Sequence, residues 1–396
     1  MGDSPQSGAR AAAPAANTPF RFYDNRQKYL AFVNTCNEKQ KVADRGADEL
    51  RQIEPTPPAL RIFDAGMGDA TVLARLMRSA HASWPTVPQL VVAKEISRED
   101  VRLGLEKMAD RFLEHPATVL VITNLFYADA PALRPRSPAD VARLNWRVLK
   151  LTGTSTHDYA RQIDDLGSVL DHGWATKLSE ATGNPVYAVP SVLVIYREDH
   201  AFSLDAVIPH PATPDHDYDF ILASQPWRAR MSARFKVDKV LVPLTRHLAR
   251  GGRLLVVQSR GDDPGLEIVR ELWPDEAPFQ VDRHRLIAEL ETALGADVAN
   301  YSLRDPPDDE AIFRYEMHTL PAEVGDRIGT SMLFAAWNAA IYVNQIEDER
   351  LGEVLASGGY LEATQRVLRR HGGLWFNDEA FVVVKKGDRS IFRGEK

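Results

Sequence analysis

Carboxylates and glycines gather around one short stretch of this chain. Leu60-Arg61-Ile62-Phe63 is a mostly apolar run that ends in Asp64-Ala65-Gly66-Met67-Gly68-Asp69, and a helical pattern begins at Thr71. Two glycines so close together let a ligand approach the backbone where a Cβ would collide with it, which suits a nucleotide-like cofactor lying over a strand, turn and helix. A dinucleotide would call for a third glycine, and Asp69 would repel its pyrophosphate. Carboxylates before and after the glycines suit a cationic cofactor without phosphates. A second strand, Leu90 to Lys94, leads to Glu95, which at the carboxyl end of a parallel strand can accept both hydroxyl hydrogens of a ribose. Asp100, on the next helix, is a secondary contact candidate. Glu38 lies on an early helix that, packed over the glycine turn, would offer its carboxylate to a ligand.

These residues need elements to hold them. The chain has 396 residues, 44% of them hydrophobic, which is ample for a core, and a net charge of −7. That balance leaves no basic surface for a nucleic acid. A single cysteine, Cys36, excludes an intrachain disulfide framework, no apolar run is long enough for a bilayer, and a cytoplasmic location is expected. Residues 1–18, rich in Ala, Pro, Ser and Gly, read as a disordered tail. Tyr29, Phe32, Val33 and Cys36 recur at helical spacing and predict one amphipathic helix running on past Glu38. Residues 19–130 then read as this helix and the first half of an α/β core, with Thr118 to Thr123 as a third strand running into Asn124 and Tyr127. Residues 131–216 read as an inserted α+β subdomain, a lid or dimerisation surface, with helices over Ala139 to Leu149 and Asp158 to Asp171 and a hairpin of Ser191 to Tyr196 with Ala201 to Ile208. His200, His210 and His216 have no metal-site spacing and read as surface histidines, so no metal is expected. Residues 217–396 complete the core: Tyr218 to Ser224 is a strand that brings Gln225 and Trp227 to the cleft, Gly251-Gly252 caps a helix before Leu254 to Val257, and Trp375 to Lys385 is a last strand.

Strand-GxG-helix, a strand ending in Glu95, a strand ending near Gln225 and helix-GG-strand occur in the order of the class I S-adenosylmethionine-dependent methyltransferases, and the chain resembles that family. The resemblance implies a Rossmann-like α/β fold, a parallel sheet with an antiparallel last strand. It implies S-adenosyl-L-methionine as cofactor, S-adenosyl-L-homocysteine as product, and Asn124 and Tyr127 near the adenine. Thr35-Cys36-Asn37-Glu38-Lys39-Gln40 and Phe376-Asn377-Asp378 look like segments of the histamine N-methyltransferase-like small-molecule enzymes. There Glu38 matches the carboxylate that binds the substrate amine, and Asp378 replaces an asparagine that contacts substrate, so the substrate need not be histamine. The similarity does not reach the insertion.

The implied chemistry is in-line displacement of a methyl group, which depends on alignment and exclusion of water more than on acid-base groups. An amine must also lose a proton, for which Glu38 or Asp378 would serve, and Phe22, Tyr23 and Trp227 would face the positive charge. Transfer to oxygen or sulfur in the same cleft is the alternative, and a non-catalytic cofactor-binding partner protein is a third reading. Ser191 to Tyr196 is apolar on both faces, which predicts something packed against each side and, with it, a homodimer.

Overall fold

Strands buried on both faces account for most of the core. In the computed structural model, which describes residues 26–179, 185–211, 217–318 and 328–387, the strands are β1 (Leu60–Asp64), β2 (Gln89–Lys94), β3 (Thr118–Thr123), β4 (Asn145–Leu151), β5 (Thr176–Leu178), β6 (Pro185–Tyr187), β7 (Ser191–Arg197), β8 (Tyr218–Ser224), β9 (Leu248–Ser259), β10 (Tyr301–Arg304), β11 (Ile312–Glu316) and β12 (Trp375–Lys385). All but β5 and β6 join one sheet in the order β10-β12-β9-β8-β1-β2-β3-β7-β4, with β11 alongside the first half of β12. β3, β2, β1, β8 and β9 are parallel, and β12 runs antiparallel between β9 and β10. Strand order reverses direction between β1 and β8, the switch point at which open α/β sheets form a crevice at their carboxyl ends. From β3 to β10 this order, with β12 reversed near the end, is the class I methyltransferase fold expected from the sequence, and β7 and β4 extend it beyond β3.

The chain divides into two compact units. One carries the sheet. The other, in its described residues 26–35, 264–276 and 328–374, is helical; within it Phe32 packs on Tyr342, and Trp337 packs on Trp273 and Tyr360. Arg350 and Arg370 pair there with Glu276 and Glu267 at 2.7 and 3.0 Å.

The early helix is two helices, α1 (Arg26–Thr35) and α2 (Glu38–Leu50), where the sequence predicts one. Asn37 breaks it: its N–H donates to the Glu316 carbonyl at 3.0 Å, and its side-chain oxygen accepts the Glu316 N–H at 2.7 Å. The backbone at the break is thus recruited by β11 and leaves the helical ladder. Gly251-Gly252 also differs from expectation. Both glycines lie inside β9, where the pairing shifts register between Tyr218 and Phe220, and a Cβ on Gly252 would come within 2.6 Å of the Tyr218 carbonyl. They make a bulge in place of a helix cap.

Within 131–216, Asn145 to Leu151 is β4 and not helix, and Ala201 to Ile208 forms turns and not a strand. β7 inserts antiparallel beside β3 and parallel to β4, so its backbone is paired on both sides. Val192, Val194 and Tyr196 enter one core layer, while Leu193 and Ile195 enter the other. The chain covers both apolar faces itself, so they give no ground for a homodimer. β4 is the last strand on that side, with Arg147, Val148 and Lys150 exposed.

Candidate functional site

The carboxyl ends of β1, β2, β8 and β9 and the start of β12 converge on the glycine turn. After β1 the chain turns at Gly66 and Gly68 into α3 (Thr71–Ser83). Gly68 has φ +52°, a conformation that favours glycine, and its N–H donates to Glu95 Oε2 at 2.9 Å. Gly66 is exposed; a Cβ there would meet only the Ser224 carbonyl, at 3.9 Å, and would otherwise fill the space above the turn. That space, with the Glu95 carboxylate at its side, has room for a nucleoside cofactor.

Asp64, at the end of β1, is buried and accepts the Gly66 N–H at 3.0 Å. Burial pushes its carboxyl up to about 6 against the opposing pull of the Gly66 hydrogen bond and Lys39. Asp69 does not face a ligand. Its carboxylate accepts the Thr71 N–H and hydroxyl at 3.2 and 2.6 Å and lies 3.4 Å from Lys107. Burial opposes its ionisation, and Thr71, Lys39 and Lys107 outweigh burial to hold it below the usual carboxylate range. It is spent on the first residue of α3 and its charge is paired with Lys107, so the expectation that Asp69 repels a pyrophosphate loses its ground.

Glu95 is where the sequence puts it, but the protein already uses most of its acceptor capacity. Oε1 takes the N–H groups of Ile96 and Ser97 at 2.7 and 2.8 Å, and Oε2 takes that of Gly68. A carboxylate offers about four lone-pair sites. One is left on Oε2, enough for one ribose hydroxyl and not for both. Asp100 lies in the first turn of α4 (Arg98–Leu105), its N–H held by the capping Ser97 hydroxyl at 3.2 Å.

Tyr127 stands beside this group: its hydroxyl donates to the Pro226 carbonyl at 2.9 Å, and Lys94, not singled out from the sequence, lies 4.5 Å from its ring centroid. Burial raises the phenol's pKa, with Glu95 and Asp64 adding to the shift. Asn124 is turned elsewhere. Its amide donates to the Gly173 and Val189 carbonyls at 2.8 and 2.9 Å and its oxygen accepts the Ser191 N–H at 2.8 Å, which spends the side chain on protein groups. The expectation that it contacts adenine is corrected on that ground.

A second cluster lies at the start of β12. Asp378 is fully buried; its Oδ1 accepts from Gln225 Nε2 at 3.2 Å, while Oδ2 has no hydrogen-bond partner. Gln225, held at φ +49° after β8, also donates to the Ser259 hydroxyl at 3.0 Å. Glu38, at the first residue of α2, is likewise buried with Oε2 unpartnered by hydrogen bonds, and Lys39 Nζ stands 3.6 Å from that oxygen. Burial raises the Asp378 carboxyl well above its ordinary value and the Glu38 charge raises it further, against Ser259 and Gln225. Tyr315 of β11 completes the cluster; burial, then Asp378 and Glu38, raise its phenol. The sequence offered one signal for it, the alternation of Phe313 and Tyr315.

Trp227 does not reach this cluster. It is buried in the core on the opposite face of the sheet, where its indole donates to Gln258 at 3.2 Å and Lys236 lies 5.4 Å from its ring centroid. Gln225 and Trp227 are near in sequence, and the left-handed turn at Gln225 separates their directions. Phe22, Tyr23 and His216 lie outside the described residues. Among the described residues no three His, Cys, Asp or Glu side chains group as a metal site would need, and no helix is long and apolar enough to cross a membrane.

No protein-family model matches the chain, and no curated protein matches it. Solved structures do. The chain is similar to the [4+2]-cyclase SpnF at 12% identity over 87% of this chain and 81% of that one, with a TM-score of 0.32. It is similar to geranyl diphosphate methyltransferase in complex with GPP and sinefungin at 11% identity, over 88% and 78% of the two chains, TM-score 0.30. PKMT2 from Rickettsia typhi in complex with AdoHcy is 11% identical, with 90% and 54% covered and a TM-score of 0.29. Likenesses at these identities and TM-scores carry no argument about this chain. The fold assignment therefore rests on strand order and direction in this chain.

Proposed function

We propose that this chain is an S-adenosyl-L-methionine-dependent methyltransferase acting on a small molecule, with an amine nitrogen as the acceptor. The observation that carries the reading is the pair of buried carboxylate oxygens, Glu38 Oε2 and Asp378 Oδ2, that lack hydrogen bonds on the same side of the sheet as the glycine turn. A buried carboxylate normally finds donors, because leaving it without them is costly. Two such oxygens favour a cationic guest, as the resemblance of Glu38 and Asp378 to the histamine N-methyltransferase-like enzymes also suggests.

When bound, the cofactor supplies an electrophilic methyl group on a sulfonium. Gly66 leaves room over the turn, Glu95 takes one ribose hydroxyl, Asp64 holds the turn through Gly66, and Tyr127 walls the nucleoside side. Asp100 and Gln225 stay in the proposed cofactor set, Gln225 by orienting Asp378. Glu38 attracts and orients the substrate ammonium. Asp378 then has the better basicity for the proton that must leave, since an ordinary aspartate near 3.9 is a poor acceptor from an amine and a raised one lies closer to it. Burial of both groups excludes water from the acceptor nitrogen.

Calorimetry with S-adenosylhomocysteine and with NAD tests the cofactor: binding of the first and not the second is expected, and the reverse overturns the reading. Label transfer from S-adenosylmethionine across amine, phenol and thiol panels tests the acceptor. Methylation confined to phenols or thiols would reject the amine and keep the fold's chemistry.

A further inference from the structure

We infer that the inserted segment is a clamp for the cofactor-facing carboxylate, acting through Trp174 as a positioning residue that holds Glu95 from behind. The inference deepens the proposed function and rests on its cofactor. Trp174 follows the helix Gly167–Gly173 and is buried in the core layer that also contains Met67 of the glycine turn. Its indole N–H donates to the Glu95 main-chain carbonyl at 2.8 Å. The preceding residue, Gly173, gives its own carbonyl to Asn124 at 2.8 Å, and a Cβ on it would come within 3.1 Å of Ser191 Oγ and 3.3 Å of Asn145 Nδ2. One dipeptide of the insertion thus ties down the residue after β2 and the residue after β3.

The consequence for chemistry lies in the acceptor accounting of Glu95. Its side chain folds back onto the N–H groups of Ile96 and Ser97, so the direction of its free lone pair is set by the path of the backbone from 95 to 97. That path is fixed at one end by β3, through the Glu95 N–H and the Thr123 carbonyl at 2.9 Å, and at the carbonyl end by Trp174. Remove the indole donor and the peptide after Glu95 can rotate, carrying the carboxylate away from a ribose hydroxyl. Trp174 acts through the Glu95 backbone.

The test compares S-adenosylhomocysteine with its 2′,3′-dideoxy analogue, which lacks the hydroxyls Glu95 would accept, on wild type and Trp174→Phe. Trp174→Phe keeps most of the ring packing and removes the donor. It should weaken S-adenosylhomocysteine binding about fivefold and no more than Glu95→Ala does, the scale of one hydrogen bond, and leave the affinity for the dideoxy analogue within about twofold. An equal loss for both ligands, or none for either, overturns the clamp, because a general loosening of the core would not distinguish them. Should Trp174→Phe not fold, Gly173→Ala shifts the same dipeptide while keeping every side chain; it should show the same selective loss, and an equal loss overturns the inference as before. Wild type that fails to bind S-adenosylhomocysteine at all removes the proposed cofactor instead, a failure distinct from that of the clamp.

Discussion

Asp378 and Glu379 are neighbours on β12, both buried, and they meet opposite fates on the two faces of the sheet. Glu379 faces donors and cations: Gln258 donates to it at 2.8 Å, Arg283 lies at 3.4 Å and Arg260, without a hydrogen bond from its Nε, at 3.7 Å, and Arg283 continues to Asp308 and Asp305 at 2.6 and 3.1 Å. Asp378 faces Glu38, another carboxylate, and keeps one oxygen without a hydrogen bond. A buried charge with its partners in place belongs to the architecture. A buried charge kept from its partners costs stability in the unliganded chain, and such sites are where function is usually found.

Substitutions on the two sides should therefore move different observables. The largest effect expected is on stability from Glu379→Ala, which leaves Arg283 buried with one partner fewer and should cost about 3–5 kcal/mol in urea unfolding; a loss below about 1 kcal/mol would erase the contrast.

Asp64 should behave in the opposite sense. Its folded-state carboxyl near 6 lies above its unfolded value near 3.9, so the folded chain binds the proton more tightly and stability falls as pH rises from about 4 to about 6. Asp219, raised to about 6 by burial, adds to the same slope. Asp64→Asn keeps the acceptor for Gly66 and removes the charge, so it should stabilise the unliganded protein by up to about 3 kcal/mol at pH 7 and by almost nothing at pH 4. Melting curves at the two pH values decide it, and a mutant less stable than wild type at pH 7 contradicts the assignment.

Glu38→Gln and Asp378→Asn should each lower kcat/KM for an amine about 10- to 100-fold while unfolding midpoints stay level or rise. A fall in midpoint matching that of Glu379→Ala would make both faces architectural. The smallest effect is expected from Glu95→Ala. With a single lone pair left for the ligand, S-adenosylhomocysteine affinity should drop by about 1 kcal/mol, the low end for a charged hydrogen bond. An unchanged dissociation constant in the folded variant would remove Glu95 from the site.

The parallel core was legible in the sequence for a physical reason: β1, β2, β3, β8 and β9 are covered on both faces and so read as apolar runs with polar ends. Asp64, Gly66, Gly68 and Glu95 sit at those ends and were found with them. The expected helix of Ala139 to Leu149 overlaps β4 at Asn145 to Leu149 because an edge strand half in water shows no strict alternation, and its Trp146, Leu149 and intervening Arg147 also fit a helical face. Pairing between distant residues was not readable at all. Nothing near Asn124 announces that its amide will be spent on Gly173 and Val189, and nothing near Trp227 announces that a left-handed residue two positions earlier turns it to the other face.

The place of β7 and β4 in the sheet bears on solubility. Without them β3 would be the rim, with Val119, Leu120, Val121 and Ile122 presenting a row of open amides and carbonyls flanked by bare aliphatic layers, the kind of strand that recruits other chains. The insertion moves the rim outward to β4, where Arg147 and Lys150 stand exposed on either side of Val148 and make edge-to-edge pairing with another copy electrostatically unfavourable. A shortened chain lacking residues 135–214 should consequently precipitate before its catalysis can be measured, and its loss of activity would report exposed β3 and not a missing lid.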